Sequence, residues 1–241
     1  MIGTQSTLRS IALEQPATIR VFETYHLDYC CGGNRPLGEV CAGKGLAVDE
    51  VLAALLAATQ GEVEARDFTQ ATLAELIRHI VDTHHAYVRT ELQRLQPMAE
   101  RVAAKHGPKH PEAIAIEQHL VQLADELIFH LQKEERILFP YIEALERSRT
   151  ENTAAPSSCF GTVESPVKAM MSEHEAAGAL LEKMRAETQG FTPPPGACPT
   201  YIGLYHGLDA FERDLHRHVH LENNLLFPRA IAMESEALIA R

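Results

Sequence analysis

The sequence predicts an all-α protein: a four-helix bundle preceded by a small helical domain. Three observations lead there. Four long stretches carry apolar residues at helical spacing, separated by polar or Pro/Gly-rich joints. No β-rich alternating run appears anywhere in the 241 residues. And one pattern, His-x-x-x-Glu-x-x-x-Leu-Phe-Pro, is written twice, as HLQKEERILFP at 130–140 and HVHLENNLLFP at 218–228.

Taken in order, the first short helices are expected in STLRSIALE and in PATIRVFETYHLDYC, where Pro16 suits a first helical turn. PLGEVCAGKG reads as a third. VDEVLAALLAATQ is a fourth, with Asp49 a cap or first-turn acid. Gly32-Gly33 breaks the chain after the Cys30-Cys31 pair. A polar stretch over 61–70 reads as a linker, which places an N-terminal domain at 1–62 and the bundle at 70–241.

The first long helix is expected from Thr72 to Lys105, with Val81, Val88, Leu92 and Leu95 on one face. The second starts near Pro111 and continues past Phe139, the third covers 166–188, and the fourth starts near Pro199. The loops are RSRTENTAAPSSCFGTVESP and TQGFTPPPGACP. Pro140 and Pro228 fall inside patterns that continue, so a kink or stop is expected at each.

A hydrophobic share of 45% allows a proper core. The net charge of −11 argues against nucleic acid or an anionic membrane as a partner. No apolar run approaches the roughly 20 residues of a membrane span, and the N-terminus lacks a signal peptide's pattern. The cytoplasm is the expected compartment. Five cysteines, two of them adjacent, suit thiols rather than a disulfide framework. Thirteen histidines are many for this length and hint at metal.

His130 and Glu134 lie one helical turn apart on the stripe Leu120, Leu123, Leu127, His130, Glu134, Ile137, Tyr141. His218 and Glu222 repeat this on Leu208, Phe211, Leu215, His218, Glu222, Leu225. The other two helices each offer a core-facing histidine: His174 on one, His84 or His85 on the other. Both stripes, Ile77–Ile80–His84–Val88 and Val81–His85–Val88–Leu92, are usable, and the spacing leans to His85. It precedes His130 by 45 residues, as His174 precedes His218 by 44. Two such hairpins converge four imidazoles and two carboxylates. Ionised carboxylates among leucines each cost several kcal/mol unless a positive charge compensates, and no Lys or Arg shares the middle of either stripe. A cation solves the problem. Mixed His/carboxylate donors favour a pair of iron or manganese ions, bridged by carboxylates, over a structural zinc. With two ferric ions, an oxide bridge and two glutamates, about two positive charges remain. Glu126, one turn before His130, and Glu173, beside His174, are placed to balance charge, relay protons or guide a ligand.

These residues are similar to the hemerythrin-like di-iron bundle: His, His-x-x-x-Glu, His, His-x-x-x-Glu, with Leu-Phe-Pro after each glutamate. DYCCGG at 28–33, SEHEAAGALL, LENNLLFPRA and TPPPGAC resemble the iron–sulfur cluster repair di-iron family, the RIC or ScdA/YtfE type, over essentially the whole chain. The resemblance implies iron ligands at His85, His130, Glu134, His174, His218 and Glu222, two glutamates beside the centre at Glu126 and Glu173, and vicinal cysteines at Cys30 and Cys31. It selects His85 over His84, because Arg89 and Leu92 follow at the family's offsets. It implies a hemerythrin-like up-down bundle holding two oxide- and carboxylate-bridged irons. Its function would be repair of iron–sulfur clusters damaged by nitrosative or oxidative stress, by donation of iron. Damaged cluster proteins are then the expected partners, nitric oxide or oxygen the small ligands, and a homodimer one expected assembly. Nitric oxide reduction or scavenging, or reversible sensing, are the alternatives at the same irons. Cys30 and Cys31, soft thiol ligands next to a glycine pair at a helix end, suit iron transfer or redox work. Cys41, Cys159 and Cys198 have no assigned role.

Overall fold

A computed structural model describes residues 2–59 and 68–239. The expected linker therefore lies, up to residue 67, outside the described residues. Four short helices come first: α1 (Leu8–Glu14), α2 (Ile19–Thr24), α3 (Leu37–Gly43) and α4 (Val48–Thr59), with a 3-10 turn from Pro16 to Thr18. Thr7 caps α1 by accepting from the Ser10 N–H. The second of these helices is shorter than expected. It stops at Thr24, and His26 then takes a left-handed conformation at φ +50°. The cysteine pair consequently sits in a bend beyond the helix, not at its end. Leu8, Phe22, Leu37, Val51 and Leu55 pack as the core of this region.

Four rods come next. The first joins α5 (Leu73–His79) to α6 (Ala86–His106), the second α7 (Pro111–Lys133) to α8 (Phe139–Glu151). The third is α9 (Glu164–Glu187), and the fourth joins α10 (Pro199–Leu221) to α11 (Phe227–Ile239). A capping box starts α5: Thr72 Oγ1 accepts from the Glu75 N–H while Glu75 reaches back to the Thr72 N–H. Pro111 and Pro199 open their helices at the first turn, where a missing N–H does no harm. Helix α6 packs on α7 and α10, and α7 on α9.

Neither Pro140 nor Pro228 stops its rod. A π turn precedes each, Glu134–Leu138 and Glu222–Leu226, and closes with an N–H five residues from its acceptor, Phe139 to Glu134 and Phe227 to Glu222. A third π turn, Ile80–His85, joins α5 to α6. Each widened turn inserts one residue into the helical register. The inward positions past it shift accordingly. Ile137, expected on the core stripe, is exposed, while Leu138 and Ile142 are buried; Tyr141 and Val81 are only half-buried.

The bundle core is split in two. Val88, Leu131, Ala177 and Val219 belong to one apolar cluster, and Ile80, Leu138, Met170 and Leu226 to another. The inward histidines and glutamates of all four rods lie between these clusters, as a polar layer across the middle.

Candidate metal centre

The π turns place the layer. His84 and His85 end the first, and Glu134 and Glu222 begin the other two. An extra residue in the turn lets both His84 and His85 face inward, at 5% and 0% exposure. The two usable stripes of the sequence are thus both used. Only His85 reaches the cluster of ligating atoms. His84 stacks flat on the His218 ring, with centroids 5.7 Å apart, and pairs its Nδ1 with Asp214 Oδ1 at 3.0 Å.

Six buried side chains converge in two overlapping groups, His85, Glu134, His218, Glu222 and His130, Glu134, His174, Glu222. Within each group the ligating atoms lie within 4.8 Å of one another. Glu134 directs Oε2 to His85 Nε2 at 3.5 Å and Oε1 to His130 Nε2 at 3.3 Å. Glu222 directs Oε1 to His218 Nε2 at 3.0 Å and Oε2 to His174 Nε2 at 3.1 Å. Each carboxylate therefore divides its oxygens between the two histidine pairs.

The residues fit cations on three counts. Both Glu134 oxygens and Glu222 Oε2 are buried without a hydrogen-bond partner, a costly arrangement for ionised groups unless a cation meets them. Nε2 faces Nε2 at 3.1 Å for His85 and His218 and at 3.0 Å for His174 and His130. Two nitrogens bound at right angles to one ion at about 2.1 Å would stand about 3.0 Å apart. The donors are imidazole and carboxylate without thiolate, a set suited to iron or manganese.

Electrostatics reflect this crowding. Burial alone would depress the imidazoles, but the facing carboxylates outweigh it and hold His85 at about 9 and His130 at about 10. His218 is lowered, chiefly by burial. Glu222 is held well below the usual carboxylate range: burial pushes it up, and the surrounding imidazoles more than reverse this.

The outer nitrogens show what the sequence pattern missed. His85 Nδ1 meets Glu135 Oε1 at 2.7 Å, and Arg89 donates to the same oxygen at 2.8 Å. His174 Nδ1 meets Asn223 Oδ1 at 2.9 Å. Glu135 and Asn223 are the residues directly after the two inward glutamates, off the stripe of a regular α-helix. Their equivalence in the repeated pattern was the available signal. Glu173, expected near the centre, holds His130 Nδ1 at 2.8 Å and also pairs with Lys133. The His130 contact, seconded by Lys133, lowers Glu173 to about 2. Such partners orient ligand imidazoles and fix which nitrogen is free. Glu126 lies farther out: it is exposed, accepts from Gln122 Nε2 at 3.0 Å and lines a cavity that His130 and His174 also line.

Cys30 and Cys31 are free thiols, Cys30 buried and Cys31 half-buried. Asp28 shapes their bend, accepting from the N–H groups of Cys30, Cys31 and Gly32 at 3.1, 2.9 and 2.8 Å. Gly33 is required here, since a Cβ would stand 2.5 Å from the Tyr29 carbonyl oxygen. The contact with Cys31, with burial second, pushes the Cys30 thiol up. Both cysteines line a cavity of about 480 Å³ that His174 also lines. Cys41 is buried in the N-terminal core, Cys159 is exposed, and Cys198 precedes α10 with its sulfur 3.4 Å from His106 Nε2.

Residues 76–230 match the model of the hemerythrin HHE cation binding domain, and residues 4–59 match ScdA_N, a domain of unknown function. The chain is 38% identical over 227 residues to the iron-sulfur cluster repair protein YtfE of Escherichia coli O81 (strain ED1a), covering 94% of this chain and 97% of the relative. Identity and coverage are the same for the proteins of that name from Escherichia coli O157:H7 and Escherichia fergusonii. Among the described residues no helix is long and apolar enough to cross a membrane.

Proposed function

The chain belongs to the family of iron–sulfur cluster repair proteins with a hemerythrin HHE cation binding domain, and from that premise we propose that it holds two iron ions and supplies iron to clusters damaged by nitrosative or oxidative stress. His85, His130, Glu134, His174, His218 and Glu222 hold the ions. The observation that carries this reading is the division of the Glu134 and Glu222 oxygens between two histidine pairs, which suits two carboxylate-bridged ions better than one. When bound, the iron pair supplies redox capacity and a Lewis-acidic position for a small ligand such as nitric oxide or oxygen.

The rest falls to the chain itself. Glu173 accepts a hydrogen bond from His130 Nδ1–H and, with Lys133, holds that ring toward the centre. Glu126, exposed on the smaller cavity, guides charge there. Cys30 and Cys31, on a cavity that His174 also lines, serve iron transfer or thiol redox work. Mixing the iron-loaded protein with a purified protein whose cluster has been damaged tests the reading. Restored cluster absorbance, with iron lost from this chain in proportion, is expected. No restoration, with the iron retained, would refute donation, and sustained nitrous oxide formation would point to nitric oxide reduction instead.

A further inference from the structure

We propose that the two metal positions are unequal: the one between His130 and His174 exchanges its ion and admits small ligands, while the one between His85 and His218 keeps its ion. This deepens the reading of the centre as an iron pair and rests on it. The asymmetry is built by neighbours. His85 stacks on Phe139 as His174 stacks on Phe227, with centroids 5.7 and 6.1 Å apart, and all four rings are buried. On one side His218 is also covered by His84, itself pinned by Asp214. On the other side two cavities arrive. His174 is among the residues that line the cavity of about 480 Å³, and one of about 290 Å³ is lined by His130 and His174. Neither is lined by His85 or His218.

The outer anchors are alike on the two sides: His85 Nδ1 meets Glu135, paired with Arg89, and His130 Nδ1 meets Glu173, paired with Lys133, all four partners being partly exposed. Access through the cavities, not anchoring, is therefore what separates the two positions. Water or a chelating acceptor reaching through either cavity can replace His130 or His174 one ligand at a time. The His85 side offers no such approach through these cavities.

The test is iron release from the fully loaded protein to ferrozine, a ferrous chelator, under reducing anaerobic conditions. Two phases of equal amplitude are expected, the first faster by roughly ten-fold or more. Crystals of the half-depleted protein, measured at the iron absorption edge, should keep anomalous density between His85 and His218. A single phase, or density kept between His130 and His174, overturns the proposal. The double variant Ala176→Leu, Gly178→Leu narrows both cavities without touching a ligand. Ala176 is exposed beside the smaller one, and a Cβ on Gly178 meets nothing within 4 Å. It should slow the fast phase by roughly ten-fold and leave the slow phase unchanged. Unchanged fast release in a folded double variant also overturns it; if that variant does not fold, the wild-type crystal decides. The assay needs no client protein, so a failure of cluster repair would leave its outcome standing.

Discussion

Asn224, two residues past the inward carboxylate of Glu222, donates from its Nδ2 to the carbonyl of Tyr29, immediately before the cysteine pair, at 3.2 Å. Arg9 returns a bond to the Asn224 carbonyl at 3.3 Å. The bend that carries the thiols and the π turn that carries Glu222 are thus bonded to each other directly. Asn224→Ala should cost about 1–3 kcal/mol, since it removes a buried amide that serves both the Tyr29 carbonyl and His220 Nδ1. Urea unfolding of the iron-loaded protein measures this, and hydrogen exchange should rise at residues 28–33 first. A variant with wild-type exchange there would refute the coupling.

Arg217 grips Glu23 through two bonds of 2.6 and 2.7 Å and so clamps α2 to α10. Glu23 is nearly buried and Arg217 half-exposed. Arg217→Ala should destabilise by on the order of 1–3 kcal/mol, less than for a fully buried pair because solvent screens the guanidinium. The double variant with Glu23→Gln should recover part of the loss, read as a shift in melting temperature.

Metal loading should release protons. In the metal-free protein His85 and His130 are held at about 9 and about 10, above the ordinary histidine value of 6.5. Their contribution to metal-free stability is fully present below pH 6.5 and is lost as pH rises through about 9 to 10. At pH 7 both rings carry protons that a cation must displace, so about two protons should leave per chain loaded. Titration calorimetry in buffers of different ionisation enthalpy counts them. A buffer-independent heat would contradict the assignment.

Glu135→Ala and Asn223→Ala remove the partners of two outer nitrogens without removing a ligand. Each should weaken metal binding by roughly 10–100-fold. Competition with a chelator of known affinity provides the readout. Glu126→Ala, which breaks only a contact with Gln122, should leave affinity near wild type.

The bundle and its six inward side chains were legible because they obey simple spacing. His130 to Glu134 is one turn whether the turn has regular or widened geometry, so their shared face is readable without knowledge of the π turns. The positions just after each glutamate are not readable in this way. A regular helix turns Glu135 and Asn223 sideways and Ile137 inward, whereas the inserted residue does the reverse for all three. The same insertion explains why no periodicity could separate His84 from His85: both face the core. The second short helix is shorter than its pattern because PATIRVFETYHLDYC keeps an apolar rhythm past Thr24, and only the left-handed turn at His26 ends it. Asp214 stands four residues before His218 as Glu126 stands before His130, yet the first is drawn under His84 and the second stays in solvent. The repeat is therefore a repeat of inward histidines and glutamates more than of their surroundings.

The polar layer lies between two separate apolar clusters, one toward each end of the bundle. Each half therefore has its own oily grip, and the waist between them is fastened by polar groups instead.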